Sequence, residues 1–122
     1  MLVYQPQAQT TDATPKNIFG GPTLPPDSIA RLNCFVLAMN HSGGVAIWTF
    51  ITSIRRIGSG APQIIVSLAI PAQKSAAAAL WDANLVVVGE EIVAQVTGGL
   101  GQTIDWLFFL EEPFAMAGAF PG

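Results

Sequence analysis

The feature that most constrains the fold is the run of residues 32–54, which contains no Asp, Glu, Lys or Arg. A helix of about 20 apolar residues can span a bilayer, so the length of this run fits a membrane segment. Its content does not fit, because the polar turn NHSGG at residues 40–44 would lie in the hydrocarbon. The run therefore predicts two β-strands joined by a turn.

From residue 31 onward, short β-branched and aromatic runs alternate with Gly, Pro and Asn, a pattern typical of all-β domains. Six strands are predicted, at residues 32–39, 45–57, 63–70, 83–88, 92–97 and 103–110. Residues 74–80 are expected to form a loop with one helical turn, since isolated helices of that length are marginal. Six antiparallel strands with short turns favour a β-sandwich, jelly-roll-like, over a closed barrel. The predicted fold class is therefore an all-β, antiparallel β-sandwich.

The second predicted strand is apolar on both of its faces. Alternate residues of a strand point to opposite sides. One set runs over the odd positions from Ile47 to Arg55, the other over the even positions from Ala46 to Arg56, and both lose their apolar character only at the arginine end. Such a strand needs cover on both sides, so we expect a second sheet on one side and a further partner on the other.

The two ends of the chain differ from this middle part. Residues 1–30 hold five of the nine prolines. Because proline fixes φ and lacks a backbone donor, this segment predicts an extended arm that runs over a surface. The last ten residues, PFAMAGAFPG, are apolar and uncharged, which predicts a tail that docks on a neighbouring subunit. The expected division is an arm at 1–30, a β-sandwich domain at 31–112 and a docking tail at 113–122.

Two groups of residues follow from this division. The predicted interface with a neighbouring subunit consists of Phe19, Pro25, Pro26, Phe114, Met116 and Phe120. The predicted core consists of Trp48, Phe50, Trp81, Trp106 and Phe108. Together with Phe109, the core aromatics also suit a sugar-stacking platform, but core packing is the commoner use of large aromatic side chains.

The composition leaves little material for catalysis. Charged residues make up 11% of the chain, against about 25% in typical soluble domains. The net charge is −3 and the five basic residues are scattered, which excludes the basic surface of a nucleic-acid-binding protein. The single histidine, His41, lies in the NHSGG turn, and no serine has the context of a nucleophile elbow. We expect no enzyme, no catalytic residue and no cofactor.

The acidic residues give no clear metal or glycosidase site. The neighbours in the pairs Glu90–Glu91 and Glu111–Glu112 point apart in an extended chain, so neither pair forms two facing carboxylates. A cation held by Glu90, Glu91 and Asp82 is an alternative to a solvated turn, but calcium loops usually bring more carboxylates. We therefore expect no metal.

Three other features have structural interpretations. The stretch VTGGLGQT at residues 96–103 lacks the lysine of a P-loop and predicts a β-turn. Asp105 is expected to pair with Arg55 or Arg56. Cys34 is the only cysteine, which excludes an intrachain disulfide, and its apolar neighbours predict a buried thiol.

Residues 81–112, WDANLVVVGEEIVAQVTGGLGQTIDWLFFLEE, resemble the C-terminal part of a small β-domain in virion proteins of tailed bacteriophages, of the tail-fibre, minor structural or capsid decoration type. Residues 43–60, GGVAIWTFITSIRRIGSG, are similar to the long central strand of that family. The resemblance implies that Trp81 and Trp106 are core aromatics and that residues 96–103 form the final hairpin. The chain departs from the family pattern in its Gly-Glu-Glu turn at residues 89–91 and in its apolar tail.

The resemblance implies a virion protein that is made in the host cytoplasm. The first expectation is a capsid decoration, or cement, protein: a homotrimer that binds the major capsid protein and stabilises the head by bridging neighbouring capsomers. The alternative is a tail-fibre or head-fibre module that binds a host-surface glycan. Neither function uses nucleic acid or a membrane, and the start MLVYQPQAQTT lacks the basic and apolar regions of a signal peptide.

Overall fold

The computed structural model describes residues 2–19 and 26–117. These residues form nine strands and one short 3-10 helix, η1, at Ala76–Ala78. The strands are β1 (Leu2–Tyr4), β2 (Gln7–Thr10), β3 (Lys16–Ile18), β4 (Ser28–Met39), β5 (Val45–Arg56), β6 (Gln63–Lys74), β7 (Asp82–Val88), β8 (Glu91–Thr97) and β9 (Ile104–Ala117). Two antiparallel sheets pack together, which confirms the all-β sandwich. Over the same residues, no helix has the length and apolar character needed to cross a membrane.

The larger sheet is built on the charge-free run. β4 and β5 pair along twelve residues, from Ser28 opposite Arg56 to Met39 opposite Val45. β6 continues beyond β5, while β9 pairs with the other side of β4 and carries β1 and β2 on its far side. All these pairs are antiparallel. The order β1-β9-β4-β5-β6 thus places four long strands side by side.

The NHSGG segment forms the predicted turn between β4 and β5. The Asn40 side-chain oxygen accepts hydrogen bonds from the backbone N–H groups of Ser42 and Gly44, at 3.0 and 2.8 Å. Gly43 has a φ of 91°, which favours glycine. A methyl group at Gly44 would lie 2.7 Å from Cη2 of Trp81, so only glycine lets the turn approach this ring.

The smaller sheet has the order β3-β8-β7 and covers one face of the larger sheet. β7 and β8 form a hairpin whose turn contains Gly89 at a φ of 60°. The face of the larger sheet that packs on the small sheet is called the inner face below, and the opposite one is called the outer face. Buried side chains of both sheets form one core cluster, to which the small sheet contributes Ile18, Ala83, Ile92, Ala94 and Val96.

Three tryptophans occupy the centre of this core. The rings of Trp48 and Trp106 are stacked at 5.6 Å, and the ring of Trp81 lies 6.2 Å from that of Trp106. The two most deeply buried indole N–H groups have hydrogen-bond partners. Trp106 Nε1 donates to the Thr10 hydroxyl at 2.8 Å, and Trp81 Nε1 donates to the Gln102 side-chain oxygen at 2.9 Å. All five aromatic residues assigned to the core from the sequence are buried, namely Trp48, Phe50, Trp81, Trp106 and Phe108.

The segment expected to be an arm contributes to both sheets. β1 and β2 pair with β9, β3 pairs with β8, and β4 already begins at Ser28. The physical reason is that β8 and β9 offer free edges, which short strands can join. Pro6 and Pro15 fall between these strands, where no ladder hydrogen bond is lost.

The expected tail also begins inside a strand. β9 continues to Ala117, and Ala117 lies opposite Ser28 of β4. The register shifts between Arg31 and Asn33 of β4, next to the position of Pro113 in β9. An irregularity of this kind accommodates a residue that lacks an N–H, so the proline does not end the strand. The boundary between domain and tail at residue 112 is therefore not seen in the backbone.

Candidate functional site

The outer face of the larger sheet is the most distinctive surface of the protein. In β4 and β5 the even-numbered residues from Ala30 to Ala38 and from Ala46 to Arg56 are buried, whereas the odd-numbered ones are partly or fully exposed. β9 shows the same alternation from Ile104 to Glu111. Because neighbours across an antiparallel sheet point to the same side, the exposed sets of these strands form one continuous face.

The register arranges the outer face in rows across the strands. One row contains Leu107, Leu37 and Ile47. The next row contains Phe109, Phe35, Thr49 and Ile70, and the row after it Glu111, Asn33, Ile51 and Leu68. The rings of Phe35 and Phe109 meet edge to face at 5.9 Å. We call the apolar members of these rows, with Met39 and Val45 of the adjoining row, the outer apolar face.

The outer apolar face remains open in the part of the chain that the structure describes. Met39 and Val45 are each 51% exposed, and Leu68 is 59% exposed. The remaining members are partly or largely exposed: Phe35, Leu37, Ile47, Ile51, Ile70, Leu107 and Phe109. Contiguous exposed apolar surface of this kind is typical of interaction sites. The second side of β5, for which the sequence predicts a partner, belongs to this surface. The partner itself stays a prediction.

Charged side chains stand mainly at the two ends of the outer face. Asp105 lies at one end, where it accepts a hydrogen bond from Gln9 at 2.9 Å and lies 3.8 Å from His41. Arg31 and Arg55 lie at the other end, and Arg55 Nε donates to Gln63 at 3.0 Å. The centre is uncharged apart from Glu111 at its β9 margin. The face is therefore polarised along the strands.

The predicted pairing of Asp105 with Arg55 or Arg56 is wrong. Asp105 lies opposite residue 39 of β4, whereas Arg55 lies opposite residue 29. These positions are ten residues apart along β4, or about 33 Å at 3.3 Å per residue. Asp105 lies in β9 and the two arginines lie in β5, with β4 between them, and neither the strand order nor the register can be read from the sequence.

Arg56 has a different role, because it links the two sheets. It is buried and donates hydrogen bonds to the carbonyl groups of Gly60 and Ser59, at 2.8 and 3.2 Å. Its guanidinium also donates to Glu90 at 2.9 Å, beside the β7–β8 turn. Glu90 is thereby engaged by a cation from the protein itself. Residues 2–19 and 26–117 contain no group of three His, Cys, Asp or Glu side chains that could hold a metal.

The strand β6 extends the outer face to an open edge. Its only neighbour among the described strands is β5. Residues 63–73 of this strand carry no charge, and Ile65 and Leu68 are exposed. Edge strands present unpaired backbone groups and are normally protected by charge, proline or cover. Here Pro71, Lys74 and two register shifts against β5 interrupt the edge, whereas residues 63–70 carry neither charge nor proline.

The structure describes the side chains of two of the six predicted interface residues, Phe19 and Pro26, so the interface predicted from the two chain ends stays a prediction. Phe19 is 48% exposed and Pro26 is exposed, whereas Pro25 and Phe120 lie outside the described residues. Phe114 and Met116 belong to β9, opposite Arg31 and Ile29, and their side chains are outside the described part. The outer apolar face was missed as a site except for its β5 members. The apolar odd-numbered residues of β5 indicated part of this face in the sequence. The matching residues of β4 and β9 can be assigned to the same face only when the register of the strands is known.

The remaining candidates show no convergent chemistry. His41 has a side chain that is 84% exposed, and its Nε2 lies 3.8 Å from a carboxylate oxygen of Asp105. Cys34 is buried in the core, and burial raises the pKa of its thiol to about 12. Of the six aromatics considered for a sugar platform, five are buried and Phe109 alone is partly exposed. These six aromatic side chains therefore do not form an exposed stacking platform.

No protein-family model matches the chain, and no curated protein matches its sequence. The similarity to phage virion domains rests on the residues quoted above and stays a prediction.

Proposed function

We propose that this chain is a structural protein of a bacteriophage particle, most specifically a capsid decoration protein. In this role it binds the major capsid protein and other copies of itself, and it stabilises the head by bridging neighbouring capsomers. The observation that carries the proposal is the open outer apolar face, which extends over four strands and is uncharged over most of its area. A face of this kind is suited to permanent assembly.

Physical chemistry favours an assembled state for this surface. Burying one large apolar side chain that was fully exposed contributes roughly 1.5–3 kcal/mol, and a partly exposed one contributes proportionately less. Leu68, Ile70 and Val45 each keep a large exposed fraction. Burial of several such side chains in one continuous face therefore favours association. Charged residues make up only 11% of the chain, so few charged groups lose their hydration when the face is buried. The face lies on hydrogen-bonded strands, so its association does not require a loop to become ordered, and the entropy cost is that of its side chains.

The experiment that tests the function is decoration of heads that lack the protein. Purified wild-type chain is added to such heads, and the bound fraction and the head's resistance to heat are measured. We expect saturable binding at symmetric positions and a higher disruption temperature. The variant Phe109→Asp should bind more weakly, because it places a charge in the outer apolar face.

The control variant is Leu100→Asp, which alters an apolar residue that is 85% exposed and lies outside the outer apolar face. It should decorate heads as the wild type does. Heads that neither bind the wild-type chain nor gain stability would contradict the decoration function. Equal loss of binding in both variants would contradict the role of the outer apolar face.

The tail-fibre or head-fibre module is the weaker proposal. It depended on exposed aromatic side chains for a host-surface glycan, and Trp48, Trp81 and Trp106 are all buried. Localisation of the protein on the intact particle separates the two functions. Label spread over the head supports decoration, whereas label confined to the tail or to one vertex supports the fibre module.

A further inference from the structure

We propose that the outer apolar face is covered by the same face of a second copy of the chain, with the strands of the two copies running in opposite directions. The result is a two-fold dimer of sandwiches in which two larger sheets meet face to face. This inference deepens the proposed function, because it names the occupant of the face. It rests on the area of the face and on the positions of Asp105 and Arg31 on opposite sides of the Phe35–Phe109 row.

The area of the face fits a stable dimer. Four strands about 4.8 Å apart, each contributing about nine residues at about 3.3 Å, give a projected area of roughly 570 Å². Side-chain relief makes the accessible area larger than this projection, so it approaches the roughly 800 Å² per partner of a typical stable interface. The four strands concerned are β9, β4, β5 and β6.

The charges Asp105 and Arg31, which stand at the two ends of the face, come together with opposite signs after a half-turn. Asp105 lies four residues before Phe109 in β9, and Arg31 lies four residues before Phe35 in β4. Because β4 and β9 are antiparallel, Asp105 and Arg31 lie on opposite sides of the Phe35–Phe109 row. Each is about 13 Å from that row at about 3.3 Å per residue.

A two-fold axis that runs across the strands through the Phe35–Phe109 row therefore exchanges the two ends of the face. It brings Arg31 of one copy over the end that carries Asp105 in the other, and symmetry repeats the contact. The aromatic row packs against its own copy on the axis. Complementary charges at both ends of an apolar patch fix the register of an interface.

Same-direction arrangements are less favourable on this face. If the strands of two copies run the same way, Arg31 and Arg55 of one copy meet the arginine end of the other, and the aspartate ends also meet. Like charges that face each other across an interface oppose association. The charge distribution thus favours the antiparallel dimer over any same-direction arrangement of the outer faces, and the homotrimer expected for a capsid decoration protein stays a separate prediction.

The first test is the mass of the full-length chain in solution, measured by light scattering on a size-exclusion column over a range of concentrations. We expect a dimer that dissociates on dilution. A trimer would overturn the two-fold geometry. A chain that is monomeric at every concentration would overturn the inference.

The second test examines the register by charge exchange. Arg31→Asp and Asp105→Arg each place like charges at both ends of the dimer, so each should raise the dissociation constant about tenfold. The double variant restores opposite charges and should return the constant to near the wild-type value. Arg55→Asp is the matched control, because in this register its side chain lies beyond the overlap, and it should leave the constant nearly unchanged.

The outcomes separate this inference from the proposed function. Dimers whose stability does not respond to the single changes, or is not restored in the double variant, would overturn the antiparallel register. A monomeric chain that still decorates heads would leave the proposed function intact and would assign the outer apolar face to the major capsid protein. A dimer that binds no head would contradict the function and leave the inference standing.

Discussion

The inner and outer faces of the larger sheet are made of similar residues but have different surroundings. The inner face carries Trp48, Trp106 and Phe108, all buried beneath the small sheet. The outer face carries Phe35 and Phe109, which stay half-buried in contact with each other. Alternation between apolar and polar residues normally tells which side of a sheet is covered. Here both sides are apolar, and the described chain covers one of them; cover for the other is the proposal made above for the assembled protein.

The charged side chains of the two faces differ in their burial and in their hydrogen-bond partners. On the inner face, Arg56 is buried among carbonyl acceptors and Glu90, and Lys74 donates to the carbonyl group of Trp81 at 2.6 Å. The ammonium group of Lys74 also lies 5.6 Å from the ring of Trp48. On the outer face, the charges stand at the ends and solvent reaches them. The inner face is thus a finished core, whereas the outer face has the features of an interface.

The largest expected difference between the faces comes from two adjacent phenylalanines. Phe108→Ala removes a fully buried ring from the core and should lower the free energy of unfolding by about 3–5 kcal/mol. Phe109→Ala removes a half-buried ring from the outer face and should cost clearly less in the dilute chain. Urea unfolding at low protein concentration measures both. Equal losses would show that the two faces are equally covered within one chain.

A second pair of neighbours tests the treatment of charge. Arg56→Ala removes a buried guanidinium and leaves the carbonyl groups of Ser59 and Gly60 without that donor, so we expect a loss of about 2 kcal/mol. Arg55→Ala changes an exposed side chain of the outer face and should alter the stability by less than about 0.5 kcal/mol. The measurement is thermal or urea unfolding of both variants. A larger loss for Arg55 than for Arg56 would contradict the assignment of the two faces.

The effect that is smallest near neutral pH concerns Cys34, which lies on the inner face and whose thiol affects the stability only at alkaline pH. Burial raises the pKa of its thiol from 9.0 to about 12. The folded state therefore keeps the thiol neutral between these values while the unfolded state ionises. Stability is fully present below pH 9 and is lost as the pH rises toward 12, with a slope of up to about 1.4 kcal/mol per pH unit.

The measurement is urea unfolding between pH 8 and about pH 11 for the wild type and for Cys34→Ala, with the slope taken from the difference between them. The variant lacks the thiol and should show a flatter dependence on pH. The same thiol should resist alkylation in the folded chain and react on unfolding. A native thiol that reacts as fast as a free cysteine would place Cys34 on an exposed surface and reverse the assignment.

The sequence predicted the six principal strands well because turn chemistry marks their ends. Asn40 to Gly44 and Gly89 close hairpins for local reasons, and both turns form where expected. The three strands β1, β2 and β3 could not be predicted, because they form only where β8 and β9 offer an edge. Their own residues show no apolar alternation.

The candidate site was predictable only in part, for a related reason. The two-sided apolar character of β5 can be read within one strand, so the need for a second partner was visible. Whether Phe35 and Phe109 belong to the same face depends on the pairing of β4 with β9, which joins residues far apart in the chain. The contact between Arg56 and Glu90 likewise depends on how the two sheets pack.

The outer apolar face is expected to be covered in the assembled protein. Hydroxyl-radical footprinting measures this directly, with Met39 and Phe109 as reporters on the face and Leu100 as a reporter away from it. Comparison of the dilute chain with the assembled protein should show strong protection of Met39 and Phe109 and unchanged modification of Leu100. Equal modification of Met39 and Phe109 in both states would contradict the claim.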